Sequence, residues 1–206
     1  MQITMNAQLN ELYNTIYQNE ENQQPIQFIS LVNPVIDSII KNDLSSNLDF
    51  PKATKLLCDY GIHLANTGKF KSAIVYLNKA AELFENDKKT KGKSISQAPL
   101  YETILLYRGV AFFNIRKFKS ARIDLKRLAV TFPNNVKYKN WFNKTVNREM
   151  TMYQFGIVLM LAITAAVYFY TKNSQGYANT ISYSVMVGCI VCAFVVDILK
   201  RRRKMK

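Results

Sequence analysis

The stretch Tyr101–Pro133, YETILLYRGVAFFNIRKFKSARIDLKRLAVTFP, predicts two short amphipathic helices joined by a tight turn. Part of it occurs twice in the chain, because the pentapeptide KFKSA is found at Lys69–Ala73 and again at Lys117–Ala121. With this offset of 48 residues Gly61 coincides with Gly109, and several apolar positions coincide as well. Small residues allow two helices to approach closely and large apolar residues fill the space between them. The repeat therefore predicts two similar helix pairs.

The net charge of +14 is distributed unevenly along the 206 residues. Residues 1–50 hold 1 cation and 6 anions, residues 51–150 hold 20 cations and 7 anions, and residues 151–206 hold 7 cations and 1 anion. A basic centre and C-terminal end indicate contact with an anionic surface. Because many of these cations flank apolar segments, the pattern favours lipid headgroups, and we expect no nucleic-acid partner.

Few residues are available for catalysis or for metal binding. The chain has three cysteines, Cys58, Cys189 and Cys192, and a single histidine, His63. An odd number of cysteines without framework spacing is typical of a reducing compartment, and one histidine predicts no zinc site. The sequence contains neither a nucleophile elbow nor a glycine-rich phosphate loop. We therefore expect a non-catalytic protein without a cofactor or a metal, in which His63 is a packing or groove residue.

The remaining helical signals predict an all-α chain. Two weak helices are expected near residues 5–19 and 26–43, the second interrupted by Pro34. Gly68 is suited to a left-handed helix end, and Asn134 and Asn135 are suited to begin a further helix. The predicted segments are an N-terminal helical segment at 1–50, two helix pairs at 51–134 with a basic inserted loop at 86–99, and a capping or juxtamembrane helix at 135–152.

Two apolar runs predict a transmembrane hairpin. Residues 153–171 carry no charge, and 19 helical residues span about 28 Å, close to the thickness of a bilayer core. After a short loop at 172–180, residues 181–199 form a second run that is charged only at Asp197. Two buried core helices are the alternative interpretation. A basic tail at 200–206 follows, and its predicted lipid-facing residues are Lys200, Arg201, Arg202, Arg203 and Lys204.

The cations also predict the orientation in the membrane. They lie before the first run and after the second, and the connecting loop has Lys172 alone. The positive-inside rule therefore places both chain termini in the cytoplasm. The absence of a recognisable targeting segment, with Asn, Lys and Ile used often, favours a bacterial inner membrane over a eukaryotic organelle membrane.

Each helix pair resembles a tetratricopeptide repeat (TPR), a helix-turn-helix of 34 residues with Gly, aromatic, Ala and Pro at set spacings. The residues that carry the resemblance are Gly61, Leu64, Phe70, Ala73, Leu77 and Ala80 in the first copy, and Gly109, Phe112, Phe118, Ala121, Leu125 and Pro133 in the second. Three features depart from the pattern. Glu85 stands where proline is usual, the tryptophan near the repeat start is replaced by Leu57 and Ile104, and about 14 residues are inserted between the copies. A generic antiparallel helical bundle is the alternative.

The resemblance implies a concave groove, lined by the first helix of each pair, that binds a peptide or helix of a partner. The residues it assigns to this groove are Cys58, Ile62, Ala65, Asn66, Leu106, Val110, Phe113 and Asn114. The groove lysines of the chaperone-binding branch of the family are not evident, so the better candidates are an apolar helix or the chain's own acidic N-terminal segment. We therefore expect a membrane-anchored adaptor or scaffold that recruits a cytoplasmic protein. The alternatives are an accessory subunit of a larger membrane complex and a membrane-remodelling adaptor of the fission type.

Overall fold

The computed structural model describes residues 2–41, 50–86, 95, 98–171, 188 and 190, and all regular elements in these residues are helical. The α-helices are α1 (Gln2–Tyr17), α2 (Pro25–Lys41), α3 (Phe50–Asn66), α4 (Phe70–Asn86), α5 (Pro99–Asn114), α6 (Phe118–Thr131) and α7 (Val136–Thr171), with a 3-10 turn at Glu20–Gln23 between the first two. The predicted all-α class is confirmed. The chain divides into two compact units, residues 1–141 and residues 142–206.

The two N-terminal helices differ in how firmly they are held in the first unit. Helix α2 contains Pro34 and buries four apolar side chains almost completely, which are Phe28, Val32, Ile36 and Ile39. Among the described side chains of α1, only Leu9 and Ile16 are buried to the same degree. Burying one large apolar side chain stabilises a fold by about 1.5–3 kcal/mol. Helix α2 therefore contributes more to the core than α1 does.

In both helix pairs a glycine of the first helix lies against a leucine of the second, with no room for a Cβ atom. A Cβ atom on Gly61 would lie 2.7 Å from Leu77 Cγ, and a Cβ atom on Gly109 would lie 2.9 Å from Leu125 Cγ. Gly109 and Leu125 are the positions that the 48-residue offset matches with Gly61 and Leu77. The sequence repeat is therefore also a repeat in packing, since in each pair a leucine at the matched position occupies the space that the matched glycine leaves open.

The turns inside the two pairs have the same hydrogen bonds. The left-handed residue is Gly68 (φ 80°) in the first turn and Arg116 (φ 62°) in the second, again 48 residues apart. In each turn the amide after the left-handed residue donates to the carbonyl five residues earlier, at 2.8 and 2.9 Å. The amide of the left-handed residue itself donates to the carbonyl three residues earlier, at 3.0 Å in both turns. This pattern is the Schellman motif, and the prediction for Gly68 is confirmed.

The side chains next to the two glycines differ between the pairs. In the first pair the rings of Tyr60 and Tyr76 meet edge to face with their centroids 4.7 Å apart. In the second pair the matched positions hold Arg108 and Asp124, whose two hydrogen bonds, Nε to Oδ2 and Nη2 to Oδ1, are both 2.7 Å long. The Asp124 side chain is only 4% exposed and that of Arg108 is 15% exposed. Burial by itself would lower the pKa of Arg108, but the hydrogen bonds and the charge of Asp124 raise it, so the guanidinium stays charged.

Each pair is followed by a helix, and the first tyrosine of that helix packs on the last phenylalanine of the pair. Tyr101 of α5 stacks on Phe84 at 4.7 Å, and Tyr138 of α7 meets Phe132 at 5.7 Å. Phe84 and Phe132 are again 48 residues apart. Glu85, which departs from the family pattern, accepts a hydrogen bond from the Tyr101 hydroxyl. The beginning of α7 thus contacts the end of the second pair through Tyr138.

Helix α7 is continuous from Val136 to Thr171, through the predicted capping segment 135–152 and the predicted first span 153–171. Asn135 caps its beginning by accepting a hydrogen bond from the Lys137 amide at 3.0 Å. By length and composition, α7 is the one helix among the described residues that could cross a membrane, over Val136–Ala166. Within the second unit, it exposes large apolar side chains such as Phe155 and Val158.

Several predicted segments lie outside the described residues. These are the loop 172–180, the second span 181–199 apart from residues 188 and 190, the basic tail 200–206, and most of the inserted loop 86–99.

Candidate partner-binding groove

The predicted groove residues lie on α3 and α5, the first helices of the two pairs. On α3, residues Lys55, Asp59, Ile62 and Asn66 follow one another at i, i+4, i+7 and i+11, so they form one stripe along the helix. The matched stripe on α5 consists of Thr103, Tyr107, Val110 and Asn114. We call the two rows together the groove stripes. Four predicted groove residues belong to them: Ile62 and Val110 are half-buried, and Asn66 and Asn114 are exposed.

The other four predicted groove residues are held in packing contacts or are inaccessible. Cys58 is fully buried, and Ala65 and Leu106 are each 7% exposed. Phe113 is half-buried, since its ring meets those of Phe118 at 5.4 Å and Trp141 at 5.6 Å. In this structure, then, a partner has access to Ile62, Asn66, Val110 and Asn114 of the groove stripes and not to the face that carries Cys58, Ala65 and Leu106.

Helix α1 is bound to the first half of the α3 stripe. The Tyr17 hydroxyl donates to Asp59 Oδ2 at 2.5 Å, and Lys55 Nζ donates to the same oxygen at 2.8 Å. The Lys55 ammonium also lies 4.3 Å from the centre of the Tyr17 ring, within the range of a cation–π interaction. Two side chains of the stripe are therefore already occupied by one residue of the same chain.

A second contact joins the two helices further towards their N-termini. Lys52 Nζ donates to Asn10 Oδ1 at 2.5 Å and lies 5.6 Å from the centre of the Tyr13 ring. Tyr13 and Tyr17 are four residues apart on α1, and their rings are 4.3 Å from each other. Helix α1 thus presents two neighbouring tyrosines to two lysines and one carboxylate of α3.

The electrostatics of this contact keep the Tyr17 hydroxyl protonated. Burial and the neighbouring Asp59 carboxylate both raise the pKa of Tyr17 above its ordinary value. The hydroxyl therefore stays protonated and donates to Asp59 at neutral pH. Burial likewise raises the pKa of the Cys58 thiol, which keeps it in the neutral, unreactive form.

Helix α2 covers a different face of α3. The Phe28 ring lies 4.5 Å from the His63 ring, and the Tyr60 hydroxyl donates to Asn33 Oδ1 at 2.9 Å. Burial lowers the pKa of His63, so the imidazole in this contact is neutral. His63 thus packs against an aromatic ring. No group of three or more His, Cys, Asp or Glu side chains that could hold a metal ion occurs in the part of the chain that the structure describes.

The contact between α1 and α3 was only partly foreseen in the sequence. The sequence indicated the acidic N-terminal segment as one of two candidates for the groove, but it identified none of the residues involved. A more specific signal was available, because Lys52, Lys55 and Asp59 share one face of α3 while Tyr13 and Tyr17 share one face of α1. Cation–π and tyrosine–carboxylate pairs are compatible with such a pair of faces.

Comparisons with protein-family models, with curated proteins and with solved structures found no match to this chain.

Proposed function

We propose that this protein is a non-catalytic, membrane-anchored adaptor of TPR-like design that recruits a cytoplasmic protein partner through its groove stripes. The observation that carries the proposal is the repetition of one helix pair in packing and in turn geometry, with Gly61 against Leu77 and Gly109 against Leu125. Stacked helix pairs of this kind create extended surfaces that bind segments of other proteins. A fold does not determine a function, so the proposed partner binding is argued from the residues of the groove stripes.

The groove stripes have the chemistry of a surface for an apolar segment. Ile62 and Val110 are half-buried at matched positions, so that a partner side chain could complete their burial. Asn66 and Asn114 are exposed at the ends of the same stripes. The Asn114 amide donates to the Val110 carbonyl at 2.9 Å, which leaves its side-chain oxygen as an acceptor for a partner.

The anchor of the adaptor is the apolar part of α7, followed by the predicted second span and the basic tail. Helix α7 passes the length and composition test for a membrane span. The flanking cations predict that both termini face the cytoplasm, which would hold the groove stripes on the cytoplasmic side.

Partner recruitment is tested by purifying the full chain from its native membrane in a mild detergent and quantifying the proteins that accompany it. Val110→Glu places a charge in the α5 stripe. The matched control is Ile123→Glu, which introduces the same charge at a site on α6 that is 51% exposed. We expect Val110→Glu to reduce the amount of co-purified partner at least about tenfold, which corresponds to the loss of one buried valine contact. We expect Ile123→Glu to have no effect. Equal recovery with both variants would exclude the groove stripes as the binding surface.

Membrane anchoring is tested separately by washing the native membranes with alkaline carbonate. We expect the full chain to stay in the membrane pellet, because an apolar span is not extracted by high pH. Recovery of the chain in the supernatant would contradict the anchor, whatever the outcome of the partner experiment.

A further inference from the structure

We infer that α1 is a displaceable occupant of the groove, and that the partner is an amphipathic helix presenting the same contact pattern as α1. The inference rests on the proposed function, since it specifies what the groove stripes recognise and what must leave first. The pattern is a pair of aromatic residues at i and i+4 over Lys52 and Lys55, with a hydroxyl that donates to Asp59. Recognition of an amphipathic helix in a groove is a recurring mode of peptide binding.

Helix α1 lies on the part of α3 that a partner would also use. Its contacts with Lys55 and Asp59 lie on the same stripe of α3 as Ile62 and Asn66. The helix therefore covers one half of this stripe and leaves the other half accessible. A longer or better-matched helix that began at Ile62 and Asn66 would meet α1 at Asp59, and the two would compete for one carboxylate.

Helix α1 is held by few buried apolar side chains. Polar and cation–π contacts join it to α3, and only Leu9 and Ile16 are fully buried among its described side chains. Helix α2, by contrast, buries four large apolar residues. Elements with few buried apolar contacts open at lower free energy than the rest of a domain. Helix α1 can thus leave while α2–α6 stay folded.

The contact between α1 and α3 has specific chemistry. Asp59 accepts hydrogen bonds from both Tyr17 and Lys55, and Lys55 in turn faces the Tyr17 ring. Removing α1 would leave the Asp59 carboxylate with Lys55 as its partner and would end the contact of the Lys55 ammonium with the Tyr17 ring. A helix that carries an aromatic hydroxyl restores both interactions that Tyr17 makes here, whereas a purely aliphatic helix does not.

Opening of α1 is tested by hydrogen exchange on the full chain in detergent, comparing wild type with Tyr17→Phe. The substitution removes one hydrogen bond to a charged group and keeps the ring. We expect the amides of residues 7–17 to exchange at least about tenfold faster, with those of α4–α6 unchanged. Tyr13→Phe is the matched control, since it removes a hydroxyl one turn away. If Tyr17→Phe accelerates exchange throughout the first unit, Lys52→Gln provides a second variant that weakens only the other contact.

Recognition is tested with a labelled synthetic peptide of residues 2–18, followed by fluorescence anisotropy. We expect this peptide to bind the Tyr17→Phe chain several-fold more tightly than wild type, because the internal competitor is weaker. A peptide with phenylalanine at position 17 should bind about tenfold more weakly than the natural peptide. Absence of binding to the Tyr17→Phe chain, or equal affinity for both chains, would overturn the inference. A dimer formed by exchange of α1 between two copies would also overturn it, in favour of self-association.

Neither experiment needs the cellular partner, so their failure can be separated from failure of the proposed function. If the peptide does not bind while Val110→Glu still reduces partner recovery, the adaptor role stands and the displacement of α1 is wrong. If the peptide binds while no partner depends on Val110, the recruitment role is wrong and α1 remains a displaceable helix.

Discussion

In the pair α3–α4 the contact beside the glycine is made by the rings of Tyr60 and Tyr76, whereas the same two positions in α5–α6 hold Arg108 and Asp124. The backbones around these contacts are alike, since both pairs have the glycine–leucine approach and the same turn hydrogen bonds. One helix-pair design therefore accepts either an aromatic pair or a buried ion pair at its centre. The shared backbone requires the glycine–leucine contact and the turn, whereas the two side chains beside the glycine can vary.

The ion pair makes the second pair the more vulnerable of the two to single substitutions. Arg108→Ala leaves the Asp124 carboxylate, 4% exposed, without its bidentate partner. Breaking a buried pair in this way costs about 3–5 kcal/mol in the free energy of unfolding. Tyr60→Phe, the matched change in the first pair, keeps the ring contact and loses the hydrogen bond to Asn33, which costs about 1 kcal/mol.

Urea unfolding of the full chain in detergent measures both effects. The single tryptophan, Trp141, packs against Phe113, so its fluorescence reports on the second pair. The double variant Arg108→Tyr/Asp124→Tyr transfers the first centre into the second pair. Replacing a buried ion pair by well-packed side chains is often nearly neutral, so we expect the double variant to recover most of the stability that Arg108→Ala loses. A double variant as unstable as Arg108→Ala would show that the two pairs are not interchangeable.

Both pairs have a close contact between a glycine and a leucine, so replacing the glycine should destabilise either pair. Alanine at Gly61 or Gly109 would place a Cβ atom 2.7 or 2.9 Å from a leucine Cγ. Overpacking of this kind costs about 1–3 kcal/mol, partly offset by about 1 kcal/mol of improved helix propensity. We expect a net loss of up to about 2 kcal/mol at both sites, the larger at Gly61. Gly156→Ala, a helical site where a Cβ atom meets nothing within 4 Å, should cause none.

The repeated pairs could be predicted from the sequence because their determinants are local. Gly61, Gly109 and the two KFKSA segments specify a close approach and a turn whose residues all lie within one helix pair. The left-handed conformation at Gly68 follows from the same logic, since glycine adopts it without steric cost. Its counterpart Arg116 could be located only through the 48-residue offset, because arginine by itself gives no signal for this conformation.

The accessible part of the groove could not be predicted, because it depends on contacts between distant residues. The resemblance assigned Cys58 and Leu106 to the groove, and the structure buries both. The contact of Tyr17 with Asp59 joins residues 42 positions apart, and no periodicity within one helix encodes such a pairing. Where helices pack against non-neighbours, side-chain pattern predicts which residues share a face but not which element covers it.

The smallest expected effect on stability is in the two turns, which have the same hydrogen bonds but differ in the left-handed residue, Gly68 or Arg116. A side chain in the left-handed conformation costs about 1–2 kcal/mol, whereas glycine loses about 0.5–1 kcal/mol more entropy on folding. We therefore expect Gly68→Ala to lower the free energy of unfolding by up to about 1 kcal/mol, and Arg116→Gly to raise it by a similar amount. The signs are opposite although the two backbones match. Arg116→Ala keeps the strained conformation and removes only the charged side chain, so it should leave stability nearly unchanged. If Arg116→Ala stabilises as much as Arg116→Gly in the urea experiment, the effect arises from charge, and the second turn is not strained.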